Sequence, residues 1–465
     1  MASLGDEPVE VTLYTNLIGG GAGRALPENR QEYVWKVWDP YVRFKPGINL
    51  KYVLYYDQKD GDSVQYKRYP GKSLKEIAEQ ASELTGYSMS KFMPPSAIRK
   101  MLDLQPEDLR AVMQLKYKGR TVFLRTYDDP VFWPNEEHFA AAFKWLAEGK
   151  GPKIYFTSAD LERSIYKKGE REYFHLTLGK LSRNALINHG YSIDTLSLDE
   201  QEVPADADAL VVADPKTELS PVTQQRISNY LKRGGNMVFA GEPGKQEMLN
   251  PVLKPLGVQL AKGTVVEVTK DEMPHMVVPY ITWPATDLAD DGKLLAQKVK
   301  LARQLDTLRA LHPGVVNLEI ADSGFSVKHL LVTKDRNAWV KAGKLVTDSA
   351  TPVFTPQEGD YTIDSVSTLI SLNRKLGTKD QRIIIAGDAD FLSRIRGQNG
   401  FLWNAFNGWM NHNSFPIYVP RKEPLDVLLT IGPKPAKLMQ VIYVWILPGI
   451  LLLTGIILLV RRKRK

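Results

Sequence analysis

Residues 9–14, Val-Glu-Val-Thr-Leu-Tyr, alternate apolar with polar side chains, the period of a strand with one buried face. The same patterning predicts a second strand at 49–56 and helical stretches around 29–42 and 74–84. It also predicts a strand pair, 111–117 and 121–125, joined by the turn signal Lys118-Gly119. A helix over 136–148 completes a mixed α/β region at 1–150. After the polar hinge Glu148-Gly149-Lys150-Gly151-Pro152 the rhythm changes. Short apolar runs at 153–156, 192–198, 209–213 and 236–240 read as strands. Between them lie predicted helices at 173–189, stopped by Gly190, and at 222–233, opened by Ser220-Pro221 and stopped by Gly234-Gly235. Strands alternating with helices require right-handed crossovers and hence a parallel sheet over 151–262.

The pattern is less regular over 263–420. Strand-like runs occur at 264–268 and 329–333, and a polar helical segment at 292–311. A further βα element follows: strand 382–386, then Gly387-Asp388-Ala389-Asp390, then a helix from Phe391 through Trp409. Its strand resembles those of 151–262, so it is expected to complete that sheet, with about 263–350 inserted.

The strongest pattern comes last. After a linker at 421–440, the twenty residues 441–460 carry no charge, and fourteen of them are Val, Ile or Leu. As a helix rising about 1.5 Å per residue this run spans about 30 Å, the thickness of a bilayer core. At mid-membrane those fourteen side chains contribute about 4–8 kcal/mol in favour of insertion, enough to absorb Pro448, Gly449 and Gly455. The anchor is therefore assigned to Val441, Trp445, Pro448, Gly455 and Val460 with the residues between them. Arg461, Arg462, Lys463, Arg464 and Lys465 follow at once. The flank before the span holds only Lys434 and Lys437, so the positive-inside rule keeps the tail at 461–465 in the cytoplasm and the preceding residues outside. The opening Met-Ala-Ser-Leu-Gly-Asp-Glu-Pro has neither a basic nor an apolar segment of a signal peptide. The expectation is an upstream hydrophobic segment in the full gene product, the alternative a tail-anchored protein with its bulk in the cytosol.

Composition changes little in this picture. The net charge of +8 falls almost to zero once the tail is set aside, leaving 56 basic against 53 acidic residues. No basic block lies elsewhere, so nucleic acid has no electrostatic footprint. The absence of cysteine excludes disulfides, thiolate metal sites and a thiol nucleophile.

Candidate chemistry is sparse. Gly19-Gly-Gly-Ala-Gly23 follows a strand as a phosphate cradle would, but Arg24-Ala25 stands where a Lys-Ser/Thr pair is needed, and Lys72-Ser73 lacks the glycine five positions earlier. A flexible surface loop is the simpler reading. Asp388 and Asp390 lie at the carboxyl edge of a strand, where α/β sites collect, and two such acids can hold a divalent ion through oxygen. No third ligand is evident beside them, and aspartate after glycine more often turns the chain or caps a helix. The seven histidines (His138, His175, His189, His275, His312, His329, His412) show no paired spacing. Phe401, Trp403, Phe406 and Trp409 recur at helical spacing, as core residues do. No catalytic, cofactor-binding or metal-binding residues are assigned.

Several motifs nevertheless occur in a specific order. They are Pro152-Lys-Ile-Tyr-Phe156, Gly190-Tyr191, Val203-Pro-Ala-Asp-Ala-Asp-Ala-Leu-Val-Val212, Asp214-Pro-Lys216 with Leu219-Ser220, and Tyr230-Leu-Lys-Arg-Gly-Gly235. Leu249-Asn-Pro, Leu256-Gly257, Gly387-Asp-Ala-Asp-Phe391 and Trp409 continue the series to the apolar span and basic tail. Over about 150–260 and 360–465, and again at 8–14, the chain resembles the auxiliary, substrate-binding-like component of ABC transporters of the type linked to bacterial gliding motility. The resemblance implies a flavodoxin- or amidotransferase-like α/β fold with an N-terminal mixed α/β domain and one C-terminal transmembrane helix. It implies permease and ATPase partners in a bacterial inner membrane, with the bulk of the protein periplasmic and the substrate unknown. Members usually carry an upstream hydrophobic segment or are fused behind permease helices, and this chain departs from that. Amidotransferase chemistry needs a cysteine at a strand–helix elbow, which is absent here, so the implied role is non-catalytic binding or scaffolding. The alternatives are a membrane-tethered hydrolase or nucleotide-binding enzyme using Gly19–Gly23 or Asp388 and Asp390, and a tail-anchored cytosolic adaptor.

Overall fold

The computed structural model describes residues 4–270, 272–305, 307–334, 338–347, 351–395, 399–419 and 432–464. Strands β1 (Val9–Asn16), β2 (Ile48–Tyr55), β3 (Val112–Tyr117) and β4 (Arg120–Arg125) form a sheet in the order β2-β1-β3-β4. Val9, Val11 and Leu13 are fully buried on one face of β1, as their alternation predicts. The turn between β3 and β4 places both Lys118 and Gly119 at positive φ, the geometry that suits a right-twisted two-residue hairpin. Helix Glu136–Glu148 packs Phe139 and Phe143 against Trp38 on this sheet. The expected helix at 29–42 is a π-helix over Gln31–Trp38 followed by a single α turn, Asp39–Val42. Ser73 and Glu76 form a reciprocal capping box at the start of helix Leu74–Thr85.

The second sheet holds β5 (Lys153–Thr157), β6 (Ser192–Leu196), β7 (Ala209–Ala213) and β8 (Met237–Ala240). It continues with β9 (Tyr280–Ile281), β10 (Ser326–Thr333), β11 (Val366–Leu376) and β12 (Lys379–Ala386). Their order is β9-β10-β11-β12-β8-β7-β5-β6. From β12 to β6 neighbouring strands are parallel, while β9, β10 and β11 extend the edge in antiparallel fashion. The returning strand β12 thus completes the parallel sheet beside β8. Within 263–350, β9 and β10 lie in this same sheet, while Thr264–Glu267 pairs with Ala338–Lys341 in a separate two-stranded sheet. β7 and β8 are buried at every position, which is why they read as continuous apolar runs. One face packs Ile154, Phe156, Val211, Val238 and Ile384 against Trp403 and Phe406 of helix Gly400–Met410. The other packs Leu210, Val212, Phe239 and Ile385 against helices Pro221–Lys232 and Gln246–Leu253.

Helix Pro221–Lys232 has Ser220 as its N-cap, and Gly234 is left-handed at φ +81° just past its end. Other expectations need correction. The helix expected at 173–189 is two 3₁₀ turns, Phe174–Leu176 and Leu186–His189. Polar side chains compete with helical bonding there. Asn188 Nδ2 donates to the carbonyls of Lys180 and Ser182, and Thr177 Oγ1 to that of Tyr173. The helix expected over 292–311 covers only Gly292–Ala302, since Gln304 turns left-handed at φ +53°. The helix expected from Phe391 begins at Gly400, after a 3₁₀ turn at Asp390–Leu392.

Residues to Val419 form one compact unit, and Pro420 onward a second. In the second unit the described part is one helix, Lys434–Lys463, long and apolar enough to cross a membrane. Val441, Trp445, Pro448, Gly455 and Val460 all lie on it, and its last turn carries Arg461, Arg462 and Lys463. A π turn at Ile442–Ile446 precedes Pro448, whose ring nitrogen cannot join the helical ladder. Most of the expected linker, 420–431, and Lys465 lie outside the described residues.

Candidate functional site

The register of the parallel strands builds the site. Ala213 pairs with Ala240 and Ala240 with Ala386, so three strands end side by side on a small residue. The residues that follow, Asp214, Gly241-Glu242 and Gly387-Asp388, therefore leave the sheet together at its carboxyl edge, where open α/β sheets place their sites. Gly387 is required sterically, since a Cβ there would come within 2.3 Å of the Val316 carbonyl oxygen. β5 pairs with β6 on one side and β7 on the other, so the chain reverses its winding at this edge. The loop after β5 supplies Arg163 and Arg171.

Arg163 is the centre of the cluster. Its side chain is only 6% exposed and reaches Asp214 at 2.8 Å and both Glu242 and Asp390 at 2.9 Å. Lys216 and Lys245 pair with Asp214, the latter at 3.0 Å, and Arg171 reaches Asp390 Oδ2 at 2.5 Å. Three carboxylates thus meet four cations. Asp388, the fourth carboxylate, pairs directly with no Lys or Arg among the described residues. Its Oδ1 accepts from the Asp390 amide at 2.7 Å, and its Oδ2 faces His312 Nδ1 at 3.2 Å. Burial, then the neighbouring Asp388 and Asp390, pushes the Glu242 carboxyl up to about 8. Burial first, then Asp390, holds Asp388 well above the usual carboxylate range. Burial alone pulls the His312 imidazole down to about 3, so it is neutral at physiological pH.

The fold brings together residues that sequence spacing kept apart. Asp388 and Asp390 do meet a third carboxylate, Glu242, with ligand oxygens of all three within 4.8 Å of one another. The expectation that no third ligand stands near them is therefore corrected. The signal was present: Gly241-Glu242 follows an apolar strand just as Gly387-Asp388 does. Arg163 comes from a loop and His312 from a two-residue strand, and neither had such a signal. Two other histidines, His138 and His189, pack with their rings tilted at 4.7 Å, and both approach the Arg183 carbonyl oxygen at 3.0 Å. In the glycine loop Gly19, Gly20 and Gly21 are closely packed, while Gly23 is exposed with open space around it. A Cβ at Gly19 would come within 2.5 Å of the Leu109 carbonyl oxygen, and one at Gly20 within 2.6 Å of the Arg110 guanidinium. A cleft of about 390 Å³, lined by Tyr230, Arg233, Asn236 and Lys379 among others, opens at the opposite, amino-terminal edge of the sheet.

The model of an ABC transporter auxiliary family, described as an ABC-type uncharacterized transport system, matches residues 152–416. That is more than half of the chain, and the chain belongs to this family. No curated protein matches it. Among solved structures it is similar to an mmIFT52 N-terminal domain, with TM-score 0.38, 12% identity, and coverage of 55% of this chain and 96% of that one. ThuA-like proteins from Bacteroides uniformis (TM-score 0.27, 11% identity, 56% and 92% coverage) and Parabacteroides merdae (0.31, 9%, 59% and 94%) are similar too. Scores this low carry no functional argument.

Proposed function

We propose that this chain is a non-catalytic accessory subunit of an ABC transporter, held in a bacterial inner membrane by its C-terminal helix. Its soluble unit stands outside the cytoplasm and docks on permease and ATPase subunits of the gliding-motility type, as a scaffold or a substrate-binding surface. The family match over 152–416 carries this reading. The apolar helix Lys434–Lys463, with five cations just after its apolar stretch against Lys434 and Lys437 before it, supports the anchor and its direction. The carboxyl edge of the sheet supports the absence of catalysis. Arg163 is committed there to Asp214, Glu242 and Asp390, and the chain has no cysteine to act as an elbow nucleophile.

Topology tests this reading, because the rival, a tail-anchored adaptor, places the same unit in the cytosol. Glu83 is exposed on helix Leu74–Thr85, and Glu83→Cys would be the only thiol in the chain. In intact cells a membrane-impermeant thiol reagent should label it once the outer envelope is permeable. Labelling that appears only after the inner membrane is lysed would establish the cytosolic adaptor instead.

A further inference from the structure

We propose that Glu242, Asp388 and Asp390, together with His312, form a binding site for one divalent transition-metal ion. The three carboxylates come from two adjacent strand ends, are buried, and hold their ligand oxygens within 4.8 Å of one another. Acids so placed are common without a metal. What singles this cluster out is His312, which arrives on a different element, the short strand His312–Pro313. Its side chain is 0% exposed, and neither ring nitrogen makes a hydrogen bond among the described residues. Nδ1 points at Asp388 Oδ2 from 3.2 Å without the alignment of a hydrogen bond, and Asp388 Oδ2 is itself unpartnered. Phe391 stacks on the imidazole at 4.5 Å and 5°, which fixes the ring in this orientation. Buried polar atoms left facing one another in this way are costly unless something sits between them. A cation bound by both would satisfy them together.

Lys216 and Lys245 are committed to Asp214, and Arg171 to Asp390 Oδ2. Arg163 alone reaches between Glu242 and Asp390, so it serves as their counter-charge when no ion is present. Arg171, Lys216 and Lys245 are all partly exposed, whereas Arg163 is buried. Three carboxylates with one imidazole suit Mn²⁺ or Zn²⁺ better than Mg²⁺ or Ca²⁺, which favour all-oxygen sets.

The test uses the full, tag-free chain in detergent, stripped with EDTA and then equilibrated with Mn²⁺ or Zn²⁺. Elemental analysis after gel filtration should find about one ion per chain, and the melting temperature should rise saturably with ion concentration. Asp388→Asn should abolish retention, and His312→Gln should weaken it at least tenfold. Arg163→Gln, which removes the competing cation, should tighten binding, a gain that a purely structural cluster would not show. Folded wild-type protein that retains no ion overturns the proposal without reference to any variant. Unchanged retention in folded Asp388→Asn or His312→Gln overturns it as well.

Discussion

Replacing Arg163 with methionine removes the one cation that contacts three buried carboxylates. Asp214 keeps Lys216 and Lys245, so its loss is partly covered, and Asp390 keeps Arg171 at 2.5 Å. Glu242 retains no cation among the described residues. Deleting one partner of a buried ion pair costs about 3–5 kcal/mol, because a desolvated charge is left uncompensated. Here the remaining cations place the expected loss near the lower end, about 3 kcal/mol at pH 8. At pH 5 the loss should be nearly the same, because Glu242, raised to about 8 by burial and its acidic neighbours even beside Arg163, rises further without that cation and is protonated at both pH values. Denaturant unfolding of the EDTA-treated chain, followed through its tryptophans, measures both values. A loss under about 1 kcal/mol at pH 8, or one that vanishes by pH 5, would refute the view that Arg163 neutralises this edge of the sheet.

Two further outcomes follow from the same geometry. Glu242 binds its proton more tightly in the folded chain than at its ordinary 4.5, so its stabilising contribution is full below about 4.5 and is lost as pH rises through about 8. Wild-type stability should therefore carry a falling component of at most about 1.4 kcal/mol per pH unit across that window, and Glu242→Gln should remove it in parallel pH titrations of unfolding. Gly387→Ala places a methyl 2.3 Å from the Val316 carbonyl, a backbone atom that cannot swing aside. It should cost about 1–3 kcal/mol by chemical denaturation, and an unchanged midpoint would mean that the turn after β12 is wrongly placed.

What could be read in advance, and what could not, divides along physical lines. β7, β8 and helix Pro221–Lys232 were legible because local signals agree there: apolar runs bounded by Ser220-Pro221 and Gly234-Gly235. The crossover at 173–189 was not, because its apolar spacing is helical while Thr177 and Asn188 tie their own backbone into turns. The antiparallel edge escaped notice for another reason. The outer half of β10 is largely exposed, so only 329–333 reads as a strand, and its partner β11 lies far along the chain. At the site, Asp388 and Asp390 announce themselves through the strand that precedes them. Glu242 joins them only through the Ala240–Ala386 register, Arg163 through a loop and His312 through a two-residue strand, whose courses no spacing encodes. The C-terminal helix needed no tertiary information, since its length and composition suffice.

The central claim is membership in a transporter assembly, and purification from native membranes in mild detergent tests it most directly. With an affinity tag at the N-terminus, the chain should elute with a phosphate-loop ATPase and a multi-span permease in fixed ratio. ATP hydrolysis should belong to that complex and be absent from the chain purified alone. A chain that elutes without these subunits under conditions that preserve other transporters, or that turns over a substrate by itself, would contradict the account.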